Sequence, residues 1–284
     1  MGIEKVTVIG GGVMGKGIAY EAARHQFQVT LVDQGQDVLD EACSVMRRWD
    51  ERGDVAVLPQ IRFTTSLAEA VAGAELVIEA VPENLALKQA IFRQLDRLAP
   101  PETIFVSNTS TLSPTLLGAA TQRSSQVMVM HFFNPVHRMM LVELVKGSET
   151  SQKTVGLAEE VAHQMGKESI VVNESPGFVT TRMSALIGNE AFLMLEEGIA
   201  SAEEIDRALK LGLNFPMGPL ELADLVGLDT RLNNLRSLHE SLGEKYRPAS
   251  LLVQYVEAGR LGRKSGRGVY EYLKEENHGR GGGD

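Results

Sequence analysis

Two groups of residues in this 284-residue chain have the types and spacing that chemistry requires. The first is a glycine series, Gly10, Gly12 and Gly15, within Gly10-Gly11-Gly12-Val13-Met14-Gly15. It follows a Val- and Ile-rich run and opens a helical stretch. Glycine at 10 permits a tight turn, at 12 it lets a pyrophosphate approach the backbone, and at 15 it lets helix and strand pack closely. The first helical turn, with Val13 and Met14, then offers backbone N–H groups to phosphate oxygens. Such a pattern alone is a Gly-rich turn. Here Asp33 also closes the next strand, where a carboxylate accepts the adenine ribose hydroxyls. A 2′-phosphate would meet like charge at Asp33, and Gln34 cannot neutralise it, so the cofactor is expected to be NAD rather than NADP.

The second group is His131, Glu143 and the polar run Ser107-Asn108-Thr109-Ser110. His131 ends a predicted strand, and ligands of open α/β sheets bind beyond the carboxyl ends of strands. A lone histidine is more often structural or merely exposed. Glu143 changes that balance. It shares a strand face with Leu141 and Val145, where a carboxylate is costly unless paired. Beside a histidine, it would fix the imidazole tautomer and support it as a base. The run 107–110 ends another strand at the same sheet edge, and capping the helix after it is the alternative use for these residues.

These residues need a sheet with all its carboxyl ends on one side. Strand signals at 5–9, 28–32, 75–81, 103–106, 126–130, 140–145 and 169–172 alternate with helix signals at 16–25, 37–52 and 153–165. Ser66 and Glu69 have capping-box spacing and start a short helix. The pattern predicts a Rossmann-type, doubly wound, mostly parallel sheet over residues 1–173. At Ser175-Pro176-Gly177 the character changes. Residues 174–284 read as a helical domain, with a long apolar run at 178–197, a capping box at Ser201 and Glu204, and one short strand at 268–272. The last ten residues, 275–284, are polar and Gly-rich and read as a disordered tail.

Composition narrows the function classes. Apolar residues at 43% and charged residues at 23% describe an ordinary globular protein. No apolar run reaches the roughly 20 residues of a membrane helix. The start of the chain lacks a signal-peptide pattern, and the single cysteine, Cys43, excludes an internal disulfide, so a cytoplasmic setting is expected. A net charge of -9 argues against nucleic acid as the main partner. Cys43 reads as packing and His137 as an exposed loop residue.

Several motifs in order resemble the L-3-hydroxyacyl-CoA dehydrogenase family, including its short-chain 3-hydroxybutyryl-CoA members. They are the glycine motif, Glu79-Ala80-Val81-Pro82-Glu83-Asn84, Ser107 to Ser110, His131-Phe132-Phe133-Asn134-Pro135 and Leu141-Val142-Glu143. Pro216-Met217-Gly218-Pro219 and Gly262-Arg263-Lys264-Ser265-Gly266 follow. The resemblance implies that His131 is the general base for a 3-hydroxyl, held by Glu143. It implies that Ser110 binds the substrate oxygen, that Asn108 lies near nicotinamide and substrate, and that Glu83 and Lys88 sit on the cofactor side. Thr181 stands where the family has a substrate-reaching Asn, and Met140 where it has a Lys. An acyl-CoA thioester is the implied substrate. Arg47, Arg48 and Arg52 lie on the helix after Asp33 and are candidates for the CoA phosphates; an ordinary solvated helix face accounts for them equally well.

A homodimer through the helical domain is expected, from the resemblance and from a helix at 178–195 that is apolar on more than one face. Two other functions fit the same residues: a same-fold oxidoreductase acting on a non-CoA hydroxy acid, and an NAD-binding structural protein with little activity. His131, Glu143 and Ser110 argue against the latter, while Thr181 leaves it open.

Overall fold

The computed structural model describes residues 2–51 and 56–272. Arg52 and the tail at 275–284 lie outside them. The chain divides into two compact units, Met1–Phe178 and Val179–Asp284.

The first unit is built on one sheet of eight strands, in the order β3-β2-β1-β4-β5-β6-β7-β8. The strands are β1 (Lys5–Ile9), β2 (Gln28–Val32), β3 (Ile61–Thr64), β4 (Leu76–Glu79), β5 (Ile104–Ser107), β6 (Val127–Phe132), β7 (Leu141–Lys146) and β8 (Glu168–Asn173). All neighbouring pairs are parallel except β6 with β7. Strand β1 therefore lies between β2 and β4, the point where the crossovers change direction and a crevice opens at the carboxyl ends.

Strands covered on both faces read as continuous apolar runs because each residue meets one helical layer or the other. In β4, Leu76 and Ile78 join the core under α1 (Val13–Arg24), α2 (Gln36–Asp50) and α6 (Gln152–Gln164). Val77 between them joins the opposite core with Phe92 and Leu95 of α4 (Leu85–Leu98) and Leu117 of α5 (Pro114–Gly118). The predicted start of a helix at Ser66 corresponds to α3 (Leu67–Val71), whose Glu69 N–H is accepted by the Ser66 side chain. Strand β3 and helices α4 and α5 were not predicted. Strand β3 has only four residues, Ile-Arg-Phe-Thr, too few to show a period. Helix α5, at five residues, is equally short.

The second unit contains α7 (Thr180–Glu196), α8 (Ala202–Gly212), α9 (Pro219–Val226), α10 (Leu228–Leu242) and α11 (Ser250–Glu257). They enclose a core that includes Phe192, Leu220, Leu232, Leu235, Leu238, Tyr246 and Leu252. The capping box at Ser201 and Glu204 is formed in both directions. The strand predicted at 268–272 is replaced by isolated bridges, Gly262 with Arg267 and Arg267 with Glu271. The reason is a competing acceptor. The buried carboxylate of Asp224 takes the N–H groups of Val269 and Tyr270, at 2.8 and 2.9 Å. Gly268 permits this, since a Cβ there would collide with Asp224.

Candidate active site

The glycine motif forms a cradle that any side chain would fill. Gly10 leaves β1 with φ at 101°, and a Cβ there would lie 2.8 Å from the Ala80 carbonyl oxygen at the end of β4. At Gly15 a Cβ would strike the Gly10 carbonyl. At Gly12 a Cβ would meet nothing within 4 Å, so the backbone is open to a ligand. Gly12 caps α1 without a side-chain bond, and Val13 behind it is exposed. Helix α1 thus presents its first-turn N–H groups to the crevice. The Asp33 carboxylate is fixed at the end of β2, with Oδ2 accepting from Gly11 N at 2.8 Å and Oδ1 from Gly35 N at 3.1 Å. An open glycine, a free helix terminus and an oriented carboxylate fit a dinucleotide.

The antiparallel step from β6 to β7 places His131 directly opposite Glu143. His131 Nδ1 lies 2.7 Å from Glu143 Oε2, and both residues are buried. A carboxylate only accepts, so Nδ1 carries the proton and Nε2 is left as an acceptor. The Ser110 hydroxyl lies 3.1 Å from that Nε2 and donates to it. Two rings wall the imidazole: Phe133, with centroids 4.5 Å apart, and Phe178, edge-on at 5.8 Å. The structure therefore joins Glu143, His131 and Ser110 in one hydrogen-bonded row: the expected pairing of Glu143 with His131 is formed, and Ser110 extends it.

Glu83 and Lys88 take part in a second polar cluster at the same edge. Glu79, the last residue of β4, is fully buried. Its Oε1 accepts from Lys88 Nζ and Val81 N, each at 2.7 Å, and its Oε2 from Ser107 Oγ at 2.6 Å. Lys88 is buried as well and lies 3.5 Å from Glu83 Oε2. Glu83 Oε1 accepts from the Thr109 hydroxyl, from Thr111 Oγ1 at 2.9 Å and from Ser110 N at 3.3 Å. Thr109 Oγ1 also accepts the N–H groups of Thr111 and Leu112, which tightens the turn bearing Ser110. Asn108 Oδ1 accepts from Phe132 N at 2.8 Å and so ties the end of β5 to the residue after His131.

A third group supports the loop after β6. Lys167 and Glu21 form a buried ion pair at 2.8 Å, and Lys167 Nζ also donates to the Val136 carbonyl at 2.7 Å. The sequence marks Glu79 and Thr109 only as members of longer motifs, without roles of their own, and does not mark Glu21 and Lys167 at all. Glu79 carried a signal, being the one carboxylate on an otherwise apolar strand, as Glu143 is on β7. Glu21 and Lys167, 146 positions apart, carried none. Arg47 and Arg48 are exposed in the last turn of α2. Thr181 is partly buried in the first turn of α7, in the second unit. His137 is exposed, with Trp49 at 6.4 Å.

Comparison with known proteins covers nearly all of the described chain. The profile of the 3-hydroxyacyl-CoA dehydrogenase NAD binding domain matches residues 5–175, and that of the C-terminal domain of the same family matches residues 177–272. A probable 3-hydroxybutyryl-CoA dehydrogenase of Deinococcus radiodurans is 45% identical over 278 residues, covering 94% of this chain and 100% of the relative. One of Bacillus subtilis is 44% identical, covering 96% and 98%. Among solved structures, the (S)-3-hydroxybutyryl-CoA dehydrogenase of Ralstonia eutropha superposes with a TM-score of 0.89 at 42% identity, covering 96% of this chain and 100% of that one. With a dinucleotide cradle at the switch point and both family domains matched in order, the chain belongs to the 3-hydroxyacyl-CoA dehydrogenase family, a family of NAD-dependent oxidoreductases.

Proposed function

We propose that this protein interconverts a short-chain L-3-hydroxyacyl-CoA, such as 3-hydroxybutyryl-CoA, and the 3-oxoacyl-CoA. The observation that carries the reading is the row Glu143 Oε2, His131 Nδ1, His131 Nε2, Ser110 Oγ. Bound NAD supplies the hydride acceptor. In the oxidative direction His131 Nε2 accepts the proton of the substrate 3-hydroxyl as hydride leaves carbon 3, and it returns that proton in reduction. Glu143 holds the tautomer that leaves Nε2 unprotonated and stabilises the imidazolium that forms. When the substrate hydroxyl takes Nε2, the Ser110 hydroxyl turns from Nε2 and donates to the substrate oxygen. Position supplies much of the remaining rate, because reacting groups held in line need no further ordering.

On the cofactor side, Gly10, Gly12, Val13, Met14 and Gly15 form the pyrophosphate cradle, and Asp33 takes the ribose hydroxyls and discriminates against NADP. Glu83, Lys88 and Asn108 act there chiefly by holding the loops around the nicotinamide position, since their side chains already bond protein groups. Thr181 and the arginines of α2, with Arg48 and Arg47 exposed, are assigned to the acyl-CoA. The nucleotide domain is assigned to residues 1–173 and the helical domain to residues from 174 on, with the turn at 174–178 packed on the first of them. The helical domain pairs with its copy in a homodimer, through apolar side chains such as Met183, Ile199 and Leu211, which the single chain leaves exposed. The one cysteine suits a reducing, cytoplasmic setting. No helix among the described residues is long and apolar enough to cross a membrane.

The test is NADH consumption with acetoacetyl-CoA, longer 3-oxoacyl-CoA thioesters and free oxo acids, with NADPH in parallel, on protein whose mass in solution is measured by sedimentation. The expected result is turnover of the thioesters with NADH, greatest for short chains, by a dimer. Turnover of free acids but not thioesters would replace the substrate assignment, and a monomer at micromolar concentration would remove the dimer.

A further inference from the structure

The loop that bears Ser110 is held by a carboxylate at each end. Glu83 takes the near end, through Thr109, Ser110 and Thr111. Glu174 takes the far end. It follows β8 directly, and its Oε2 accepts from Ser113 Oγ at 2.7 Å and from Thr115 N at 3.2 Å. Its Oε1 accepts from Thr115 Oγ1 at 2.7 Å. Ser113 also caps α5, accepting from Leu116 N at 3.1 Å. Thr115 Oγ1 accepts in turn from Ser148 N at 2.8 Å, and Gly147 allows the approach, since a Cβ there would lie 2.8 Å from that oxygen.

This is more than local capping. Glu174 is about 60 positions from its partners, so its bonds fix the loop against the far side of the sheet, where β7 and β8 lie. The same short segment then reaches the imidazole. Gly177 and Phe178 turn the chain through φ values of 73° and 49°, and the buried Phe178 ring rests on Val129 and Val145 with its edge toward His131. Residues 174–178 thus touch the Ser110 loop at one end and His131 at the other.

We propose that Glu174 is a positioning residue for hydride transfer: it fastens the loop at 110–115 so that Ser110 Oγ stays beside His131 Nε2, in reach of the oxygen that reacts there. The proposal rests on the roles given above to Ser110 and His131. A displacement of about 1 Å in a reacting group can cost on the order of 10²-fold in rate, so a clamp of this kind is visible in kinetics.

The experiment is a double-mutant cycle of Glu174→Gln with Ser110→Ala, read as kcat and KM for acetoacetyl-CoA reduction. With Ser110 present, Glu174→Gln is expected to lower kcat about tenfold and leave the KM for NADH within about twofold. With Ser110→Ala already in place, the same substitution should change kcat by less than about twofold, because the group it positions is gone. Glu174→Asp should restore part of the loss. Should Glu174→Gln not fold, Thr115→Val removes one donor to Glu174 and is carried through the same cycle, with the same pattern expected. An equal loss in both backgrounds would make Glu174 a purely structural residue and overturn the proposal. If Ser110→Ala alone leaves kcat unchanged, the role of Ser110 fails first and the proposal falls with it.

Discussion

The two units use their buried charges differently. In the nucleotide-binding unit, buried carboxylates meet side-chain cations or an imidazole: Glu79 with Lys88, Glu21 with Lys167, Glu143 with His131. In the helical unit the buried carboxylates meet backbone N–H groups and phenols. Asp206 accepts from Leu220 N, Glu221 N and Tyr270 Oη, and Asp224 from Val269 N, Tyr270 N and Tyr272 Oη. Burial, and then the hydrogen bonds to these carboxylates, push the Tyr270 hydroxyl up and the Tyr272 hydroxyl up to about 12, so both remain donors in the neutral range. The helical unit's buried cation, Arg231, has no carboxylate partner among the described residues. It donates to the Ser184 carbonyl and hydroxyl, and burial lowers it to about 10, which leaves it charged at neutral pH. Carboxylates of the first kind hold a cation or an imidazole at a fixed place at or near the carboxyl edge of the sheet, and in the function proposed above the Glu143 carboxylate holds the group that changes protonation. Those of the second kind replace backbone partners that irregular segments cannot find for themselves.

The largest effect separating the two kinds should come at Glu143. Glu143→Gln keeps the shape but offers His131 the wrong partner, and His131→Ala removes the base. Each should lower kcat by roughly 10² to 10⁴, the usual worth of general-base catalysis, while NADH affinity, followed by fluorescence, stays near wild type. The double variant should be little worse than the worse single one, since residues that act as a unit are not additive. If the two losses multiply, the pair does not act as a dyad.

Asp224→Asn should do the reverse. The amide loses one acceptor among three donors and places its own N–H against them. The expected cost is about 3 kcal/mol of stability, which corresponds to a fall in Tm on the order of 10 °C, with kcat at assay temperature near wild type. Scanning calorimetry beside the NADH assay reads both. A large loss of kcat without a change in Tm would break the contrast between the units.

Asp50 gives the smallest effect and the sharper test, because it is a carboxylate of the second kind in the first unit. Burial opposes its ionisation, but the N–H groups of Val57 and Leu58 and the Tyr20 hydroxyl outweigh that and hold its pKa below the ordinary value. A carboxyl depressed in the folded state contributes stability above its unfolded pKa of about 3.9, and that contribution is lost as pH falls through the lower folded value. The difference in urea midpoint between wild type and Asp50→Asn should therefore be constant from neutral pH down to about 5 and shrink toward pH 2. A difference that does not vary with pH would mean that the charge of Asp50 contributes nothing.

Much of the fold could be read directly from the chain, for reasons these residues make concrete. Parallel strands covered on both faces must be Val- and Ile-rich, so β1 and β2 stand out at their observed bounds. Gly10 and Gly15 admit no side chain in the turn they make, so residue type and spacing are enough to mark the cradle. Glu143 was visible because a carboxylate on an apolar strand needs a partner. Periodicity alone did not name that partner; the family resemblance pointed to His131. The antiparallel turn from β6 to β7 decides that His131 faces Glu143, and a shift of one residue would have sent Glu143 to the other side of the sheet.

The chain by itself therefore determined seven of the eight strands, the nucleotide turn and the candidates for chemistry, because periodicity and backbone freedom are local properties. Tertiary structure alone decided how the candidates are joined: Ser110 to His131, Lys167 to Glu21 and Val136, and Glu174 to Ser113 and Thr115. A hydrogen bond of about 3 Å between segments remote in sequence depends on strand register and on where a loop returns, and neither leaves a pattern in the residues themselves.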